Sequence, residues 1–147
     1  MSALTAARVV TVPRGTIKRC TFPLKAGSKA YENGLCCIDT ASAGAVTQGA
    51  VSTTLKPIGW FTQTVDNSAG GTTVPVGVEL FQEREVEYWD SVTGGGAITS
   101  ANLFQDVYIA SDHELTTVSS GASVYGKVWT ISPQGYPNAI GVVAAAF

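Results

Sequence analysis

Residues 57–64, Pro57-Ile58-Gly59-Trp60-Phe61-Thr62-Gln63-Thr64, and residues 74–81, Val74-Pro75-Val76-Gly77-Val78-Glu79-Leu80-Phe81, decide the fold class. Both are rich in β-branched and aromatic residues, and neither shows a helical apolar period. Between them, Asp66-Asn67-Ser68-Ala69-Gly70-Gly71 is a dense turn signal, because Asn and Asp side chains bond their own backbone and glycine accepts positive φ. The stretch reads strand, turn, strand. Working outward, the same pattern predicts strands at Arg8–Val12, Thr16–Phe22, Leu35–Asp39, Arg84–Trp89, Asp106–Ala110, Ser123–Ile131 and Ala139–Ala144. Turn signals at Pro13–Gly15, Asn33-Gly34, Gly94–Gly96, Ser119–Gly121 and Pro133–Pro137 separate them. The expectation is an all-β protein: a compact single-domain β-sandwich or barrel over residues 15–147, with an N-terminal arm over residues 1–14 and long Gly/Ala/Ser/Thr-rich loops.

Two features qualify this outline. Asp39–Lys56 is built almost entirely of small and hydroxyl side chains, and reads as a surface loop, an irregular hairpin, or an arm that orders against a partner. Ile58-Gly59-Trp60-Phe61, Tyr125-Gly126-Lys127-Val128 and Ile140-Gly141-Val142-Val143 echo one another, each with a glycine inside an apolar strand where another backbone or ring can approach closely. Their spacing is irregular, so no repeat architecture is expected.

At 147 residues the chain is long enough to bury a core without staples. Charged residues are only 14% of it against 45% hydrophobic, so part of the apolar surface is expected to face another subunit. The net charge of −2 is unevenly placed. Residues 1–56 hold Arg8, Arg14, Lys18, Arg19, Lys25, Lys29 and Lys56 against Glu32 and Asp39, whereas residues 57–147 hold Arg84 and Lys127 against nine acids. Such polarity suits an oriented contact. Nucleic acid is not an expected partner, since no basic run or strip interleaved with aromatics exists. Cys20, Cys36 and Cys37 are odd in number, and neighbours on a strand face opposite ways, so they read as small buried hydrophobes of a reducing compartment. No signal peptide or membrane span is read, and synthesis in a cytoplasm is expected.

No reaction emerges from the motifs. Gly121-Ala122-Ser123-Val124-Tyr125-Gly126-Lys127-Val128 nearly matches a phosphate-binding loop, but lacks the hydroxyl after the lysine and continues as strand. Glu79, Glu83, Glu85 and Glu87 would share one face of a continuous strand, which reads as a solvated or partner-facing edge. His113, between Asp112 and Glu114, reads as a polar turn residue before a strand Leu115–Val118. Trp60, Trp89 and Trp129 read as core or interface anchors, with sugar stacking as the alternative. A non-enzymatic protein without cofactor or metal is expected.

The chain resembles the capsid cement, or head decoration, proteins of tailed phages. The residues that carry the resemblance are Lys25-Ala26-Gly27-Ser28-Lys29-Ala30-Tyr31 with Gly34, Ile58-Gly59-Trp60, and Thr64-Val65-Asp66-Asn67-Ser68-Ala69-Gly70-Gly71. Ala97-Ile98-Thr99, Tyr108-Ile109 with Asp112 and Thr116-Thr117, and Tyr125-Gly126-Lys127-Val128 continue it in the family's order, over most of residues 22–131. The resemblance implies a structural protein on the virion's capsid exterior, partnered by the major capsid protein and by itself, often as a homotrimer. On that expectation Arg8, Arg14, Lys18 and Arg19 are candidates for capsid contact, and Trp60, Trp89, Trp129 and Phe147 for the oligomer interface. A carbohydrate- or receptor-binding virion module and a tail or neck component are the alternatives. The sparse charge predicts a stable oligomer of the purified protein at micromolar concentration, and a monomer in sedimentation velocity would exclude it.

Overall fold

The computed structural model describes residues 19–82, 86–131 and 139–144. Twelve strands follow one another: β1 (Arg19–Leu24), β2 (Lys29–Ala30), β3 (Leu35–Asp39), β4 (Val46–Gln48), β5 (Leu55–Phe61), β6 (Val65–Asp66), β7 (Val74–Leu80), β8 (Val86–Ser91), β9 (Asp106–Ile109), β10 (Glu114–Thr116), β11 (Val124–Ile131) and β12 (Ala139–Ala144). Among the described residues one 3-10 turn, Ser100–Asn102, precedes β9. The protein is all-β, as the strand and turn pattern predicts. The strands close into two five-stranded barrels in chain order, β1-β4-β3-β5-β7 and β8-β10-β9-β11-β12, while β2 and β6 pair separately. Closure leaves neither barrel with a free edge for stray pairing.

The second barrel repeats the first in strand order and in register. In each, the first and third strands of the barrel run parallel, through Leu24↔Val46 and Ser91↔Leu115, and the other four pairings are antiparallel. Cys36↔Gly59 and Cys37↔Pro57 of β3/β5 correspond to Val107↔Gly126 and Tyr108↔Val124 of β9/β11, with the same bulge, at Ile58 and at Tyr125. Gly59↔Leu80 and Phe61↔Val78 correspond to Gly126↔Ala144 and Val128↔Val142. Repeat spacing hides this in the sequence, because different loop lengths separate matching strands. The echo between Ile58-Gly59-Trp60-Phe61 and Tyr125-Gly126-Lys127-Val128 is therefore a repeat of architecture, contrary to the expectation from its spacing. Ile140-Gly141-Val142 has its counterpart not in β5 but in Val76-Gly77-Val78 of β7.

The equivalent glycines explain why the echo exists. A Cβ on Gly59 would fall on the carbonyl oxygen of Glu79, and one on Gly126 on the carbonyl oxygen of Val143, the same place in each barrel. The bulge next to each glycine bends its strand against the neighbour, and only hydrogen fits in the gap.

Two hydrophobic clusters fill the interior. One lies in the first barrel, around Leu24, Cys36, Val46, Phe61, Val76 and Val78. The other fills the second, around Val107, Ile109, Leu115, Val128, Ile140 and Val142, and reaches across to Leu35, Cys37, Leu55 and Phe81. Cys36 and Cys37 thus face different clusters, as adjacent strand residues must. Both are buried, but Cys20 is exposed, contrary to the expectation for all three. The small-sided segment after Asp39 is not a free arm: it contributes β4, which closes the first barrel, with Val46 and Leu55 buried. That agrees with the irregular hairpin among the alternatives. The row of acids is also broken, since β7 ends at Leu80 and Glu79 is buried beside Arg19, while Glu83 and Glu85 lie outside the described residues. So do the strand expected at Arg8–Val12 and the turn at Pro133–Pro137.

Between the barrels, Leu35 N–H donates to the Asp112 carbonyl at 2.6 Å and Leu55 N–H to Ser123 Oγ at 3.1 Å, while Ser123 donates to the Ser52 carbonyl. Phe81 lies at the joint with its ring 5.6 Å from Trp60, 6.3 Å from Trp89 and 5.9 Å from Tyr125. Gly126→Ala should cost about 3 kcal/mol, because neither backbone can yield. Gly95→Ala, where an added Cβ meets nothing within 4 Å, should stay within about 0.5 kcal/mol in urea unfolding.

Candidate interaction surfaces

The two longest motifs of the resemblance meet in space. Lys29–Ala30 pairs with Val65–Asp66 as an antiparallel ladder, bringing the segments Lys25–Tyr31 and Thr64–Gly71 together at one end of the first barrel. Asn67 is the centre of this unit and is buried. Its Nδ2 reaches the carbonyls of Leu24 (3.2 Å), Lys25 (3.1 Å) and Thr72 (2.9 Å). Its own N–H donates to Ser28 and its carbonyl accepts from Gly27 and Gly70. A side-chain amide can satisfy carbonyls on two separate segments at once, which aspartate cannot. Gly27, with φ +83, makes the turn that brings the loop back to Asn67. Outside the loop, Lys29 Nζ sits 3.8 Å from Asp66 Oδ2 and 4.8 Å from the centre of the exposed Tyr31 ring.

Beside this unit lies an open polar cleft of about 360 Å³ lined by Lys25, Ser28, Asp39, Thr47, Gln48 and Ser52. Asp39 is buried, and its oxygens accept from Lys25 Nζ (2.8 Å), Thr54 Oγ1 (2.8 Å), Ser42 Oγ (3.0 Å) and Ala41 N–H (3.0 Å). The Lys25 ammonium, helped by these other donors and opposed by burial, holds the carboxyl far below the usual carboxylate range. All four donors come from the chain itself, so Asp39 works as a clasp for the β3–β4 turn.

The expected capsid-contact residues Arg8, Arg14 and Lys18, and Phe147 of the expected interface, lie outside the described residues. Arg19 opens β1 with a largely exposed side chain whose Nε lies 3.4 Å from Glu79 Oε1. The three tryptophans separate. Trp89 is a core residue rather than an interface anchor: it is buried, and its indole N–H donates to Tyr125 Oη at 2.7 Å. Trp60 is half-buried against Phe81. Trp129 is 55% exposed and stacks edge-to-face at 5.8 Å on Phe104, itself 64% exposed. Phe104 escapes single-sequence reasoning because it sits in a turn with no periodic pattern.

His113 stands in the turn between β9 and β10, as its setting predicts. Its Nδ1 is 3.0 Å from Asp112 Oδ1 and its Nε2 3.8 Å from Glu114 Oε1. The Asp112 hydrogen bond raises its pKa against a smaller effect of burial, with Glu114 and Asp90 adding to the rise. Lys127 of the near-miss phosphate motif lies on strand β11 and is paired with Asp106 at 2.9 Å. Among the described residues no group of three or more His, Cys, Asp or Glu side chains is placed to hold a metal ion, and no helix is long and apolar enough to cross a membrane.

Charge is partitioned between the barrels. Arg19, Lys25, Lys29 and Lys56 balance Glu32, Asp39, Asp66 and Glu79 in the first, whereas the described second barrel sets Lys127 against Glu87, Asp90, Asp106, Asp112 and Glu114. The first barrel is thus balanced, and Arg8, Arg14 and Lys18 precede it in the sequence. Comparison with protein-family models, with curated proteins and with solved structures found no match.

Two outcomes are expected. Asn67→Ala should cost about 2 kcal/mol, as the buried Leu24 carbonyl and the part-buried carbonyls of Lys25 and Thr72 lose their donor, with the loss read from denaturant midpoints. Because the folded-state pKa of Asp39 is lowered, its contribution is complete above the ordinary carboxylate value near ~4 and is lost as the pH falls from there toward the lowered one. Asp39→Asn should therefore flatten the acid limb of the stability–pH curve, measured by thermal unfolding between neutral and strongly acid pH.

Proposed function

We propose that the chain is a structural, non-enzymatic virion protein that binds the outside of a tailed-phage capsid as an oligomer and cements neighbouring capsomers against the pressure of packaged DNA. The observation that carries this reading is the meeting of Lys25–Tyr31 with Thr64–Gly71 around Asn67. Turn-rich motifs matched by chance would have no reason to fall on two remote segments that bond each other. Two of the motifs behind the likeness to cement proteins belong to one structural unit, which supports reading them together.

The physical properties suit that task. Two edge-free barrels joined by a shared apolar cluster make a stiff body that can span a junction and resist its opening. Each contact can be weak, because an oligomer touching several capsomers gains avidity through effective concentration. The partners are then the major capsid protein and further copies of the chain, in a homotrimer whose symmetry would match local three-fold axes of a shell. The protein would be made in the bacterial host's cytoplasm and end on the virion exterior. Arg8, Arg14 and Lys18, with Arg19 behind them, would be drawn to an acidic shell, leaving the acidic second barrel outward.

Removal of residues 1–14 tests this. The shortened protein should keep the circular dichroism of the β-core but bind capsids several-fold more weakly, with the difference between the two proteins shrinking at high salt as screening removes the electrostatic attraction. Undiminished capsid binding by a folded truncation would overturn the assignment of the contact, and absence of capsid binding by the full chain would overturn the function.

A further inference from the structure

The repeated register turns the first barrel into an internal control for the second. Asn33 N–H donates to the Phe61 carbonyl at 2.8 Å, and Phe61 N–H to Gly34 at 3.0 Å. At the equivalent place Phe104 N–H donates to the Val128 carbonyl at 2.7 Å, and Val128 N–H to Gln105 at 3.2 Å. The fold demands a left-handed backbone there, and both residues supply it, with φ +67 at Asn33 and +61 at Phe104. Asparagine is a natural occupant of that conformation; phenylalanine is a strained one. The strain is not offset by burial, since Phe104 is 64% exposed. Its neighbour Trp129 follows the same logic. It is the extra residue of a bulge in the β11/β12 ladder, which skips from Val128↔Val142 to Thr130↔Gly141, so that Thr130 takes the place of Thr62 over the equivalent glycine and Trp129 has no counterpart in the first barrel. Two backbone irregularities thus hold two rings edge-to-face in solvent, where the first barrel has Asn33 and no inserted residue. The fold requires the left-handed backbone but not a phenylalanine in it, and a strained residue kept at an exposed position points to a function.

We infer that Phe104 and Trp129, flanked by Leu103, form a platform for an uncharged carbohydrate, with the indole face stacking on the C–H face of a sugar ring. Size and charge select this occupant. With Leu103 at 37% exposure, the exposed apolar area is roughly 300 Å² when whole aromatic side chains are ~150–250 Å², short of the roughly 450 Å² of apolar area per partner in a stable protein interface of about 800 Å². The nearest described charges along the two strands, Lys127 and Asp106, neutralise each other at 2.9 Å, which favours an uncharged ligand. The exposed Gln105, next to Phe104 in sequence, offers an amide to hydroxyl groups, whereas the Asn102 oxygen already accepts from Thr99 N–H at 2.8 Å. An affinity in the millimolar range would suffice on a particle carrying many copies. The inference does not depend on the capsid reading, since the platform belongs to the isolated chain.

The test uses tryptophan fluorescence of the full chain, titrated with neutral oligomers of glucose, galactose, mannose and N-acetylglucosamine. At least one series should give a saturable change, lost in Trp129→Ala. Phe104→Gly is the decisive variant: it relieves the left-handed strain, so the protein should unfold at the same or higher denaturant, yet bind the sugar about tenfold more weakly. Absence of saturable change with all four series overturns the proposal, as does binding that survives Trp129→Ala. Self-association of the purified chain that disappears in Trp129→Ala without any sugar response would assign the rings to a second copy and overturn it equally.

Discussion

Phe81 is the residue through which the two barrels become one structure. It follows β7, the last strand of the first barrel, and its ring is enclosed by Trp60 from that barrel and by Trp89 and Tyr125 from the second. Aromatic contacts of this kind add direction to the burial of a large apolar area, because ring edges seek ring faces. The Trp89–Tyr125 hydrogen bond ties the two second-barrel rings of this group to each other, and burial drives the Tyr125 hydroxyl pKa well upward, so it stays neutral as an acceptor. Leu35, Cys37 and Leu55 complete the joint from the first barrel's outer face. Everything else about the surface follows from which sides this joint leaves in solvent.

The repeated register shows what the joint changed. Leu35 and Trp60 are a cross-strand pair on β3/β5 and pack against the second barrel. Their equivalents on β9/β11 are Asp106 and Lys127, which face water as an ion pair. The same position in the same ladder is apolar where another barrel covers it and charged where none does, much as terminal units of a repeat array carry polar outer faces. Gly49 fits this pattern too, since a Cβ there would meet the Ser111 carbonyl oxygen of the second barrel at 2.5 Å, whereas its equivalent on the uncovered side is the exposed Val118. Against that background an exposed Phe104 on a strained backbone is the exception, which is why it rather than the polar cleft of Asp39 carries a functional inference.

Asn67 and Asp39 show how far polar side chains can organise loops that have no core of their own. Each collects several backbone or side-chain partners from more than one segment of the chain, and each is buried. A group satisfied in this way specifies a loop conformation, since any alternative leaves the same buried atoms unpaired. The segment after Asp39 is poor in large side chains yet ordered, and the segment around Asn67 is ordered although Ser68, Ala69, Gly70 and Gly71 are exposed. Low hydrophobicity in those stretches meant satisfied loops, not arms awaiting a partner.

What the amino-acid sequence determined by itself was local. Alternation, β-branching and turn residues located Leu35–Asp39 and Ala139–Ala144 to the residue and most other strands to within two or three, because those signals act over a few positions. Adjacent cysteines on opposite faces, a polar turn at His113 and strand rather than helix after Gly126 were legible for the same reason. β4 was not, since Val46–Gln48 is a strand only because β1 and β3 lie on either side of it. Closure into two barrels, their matching register, the burial of Trp89 and the exposure of Trp129 depend on partners far along the chain. A strand's own residues set which atoms can pair; which neighbour arrives, and which face it covers, is decided only by the packing of the whole molecule.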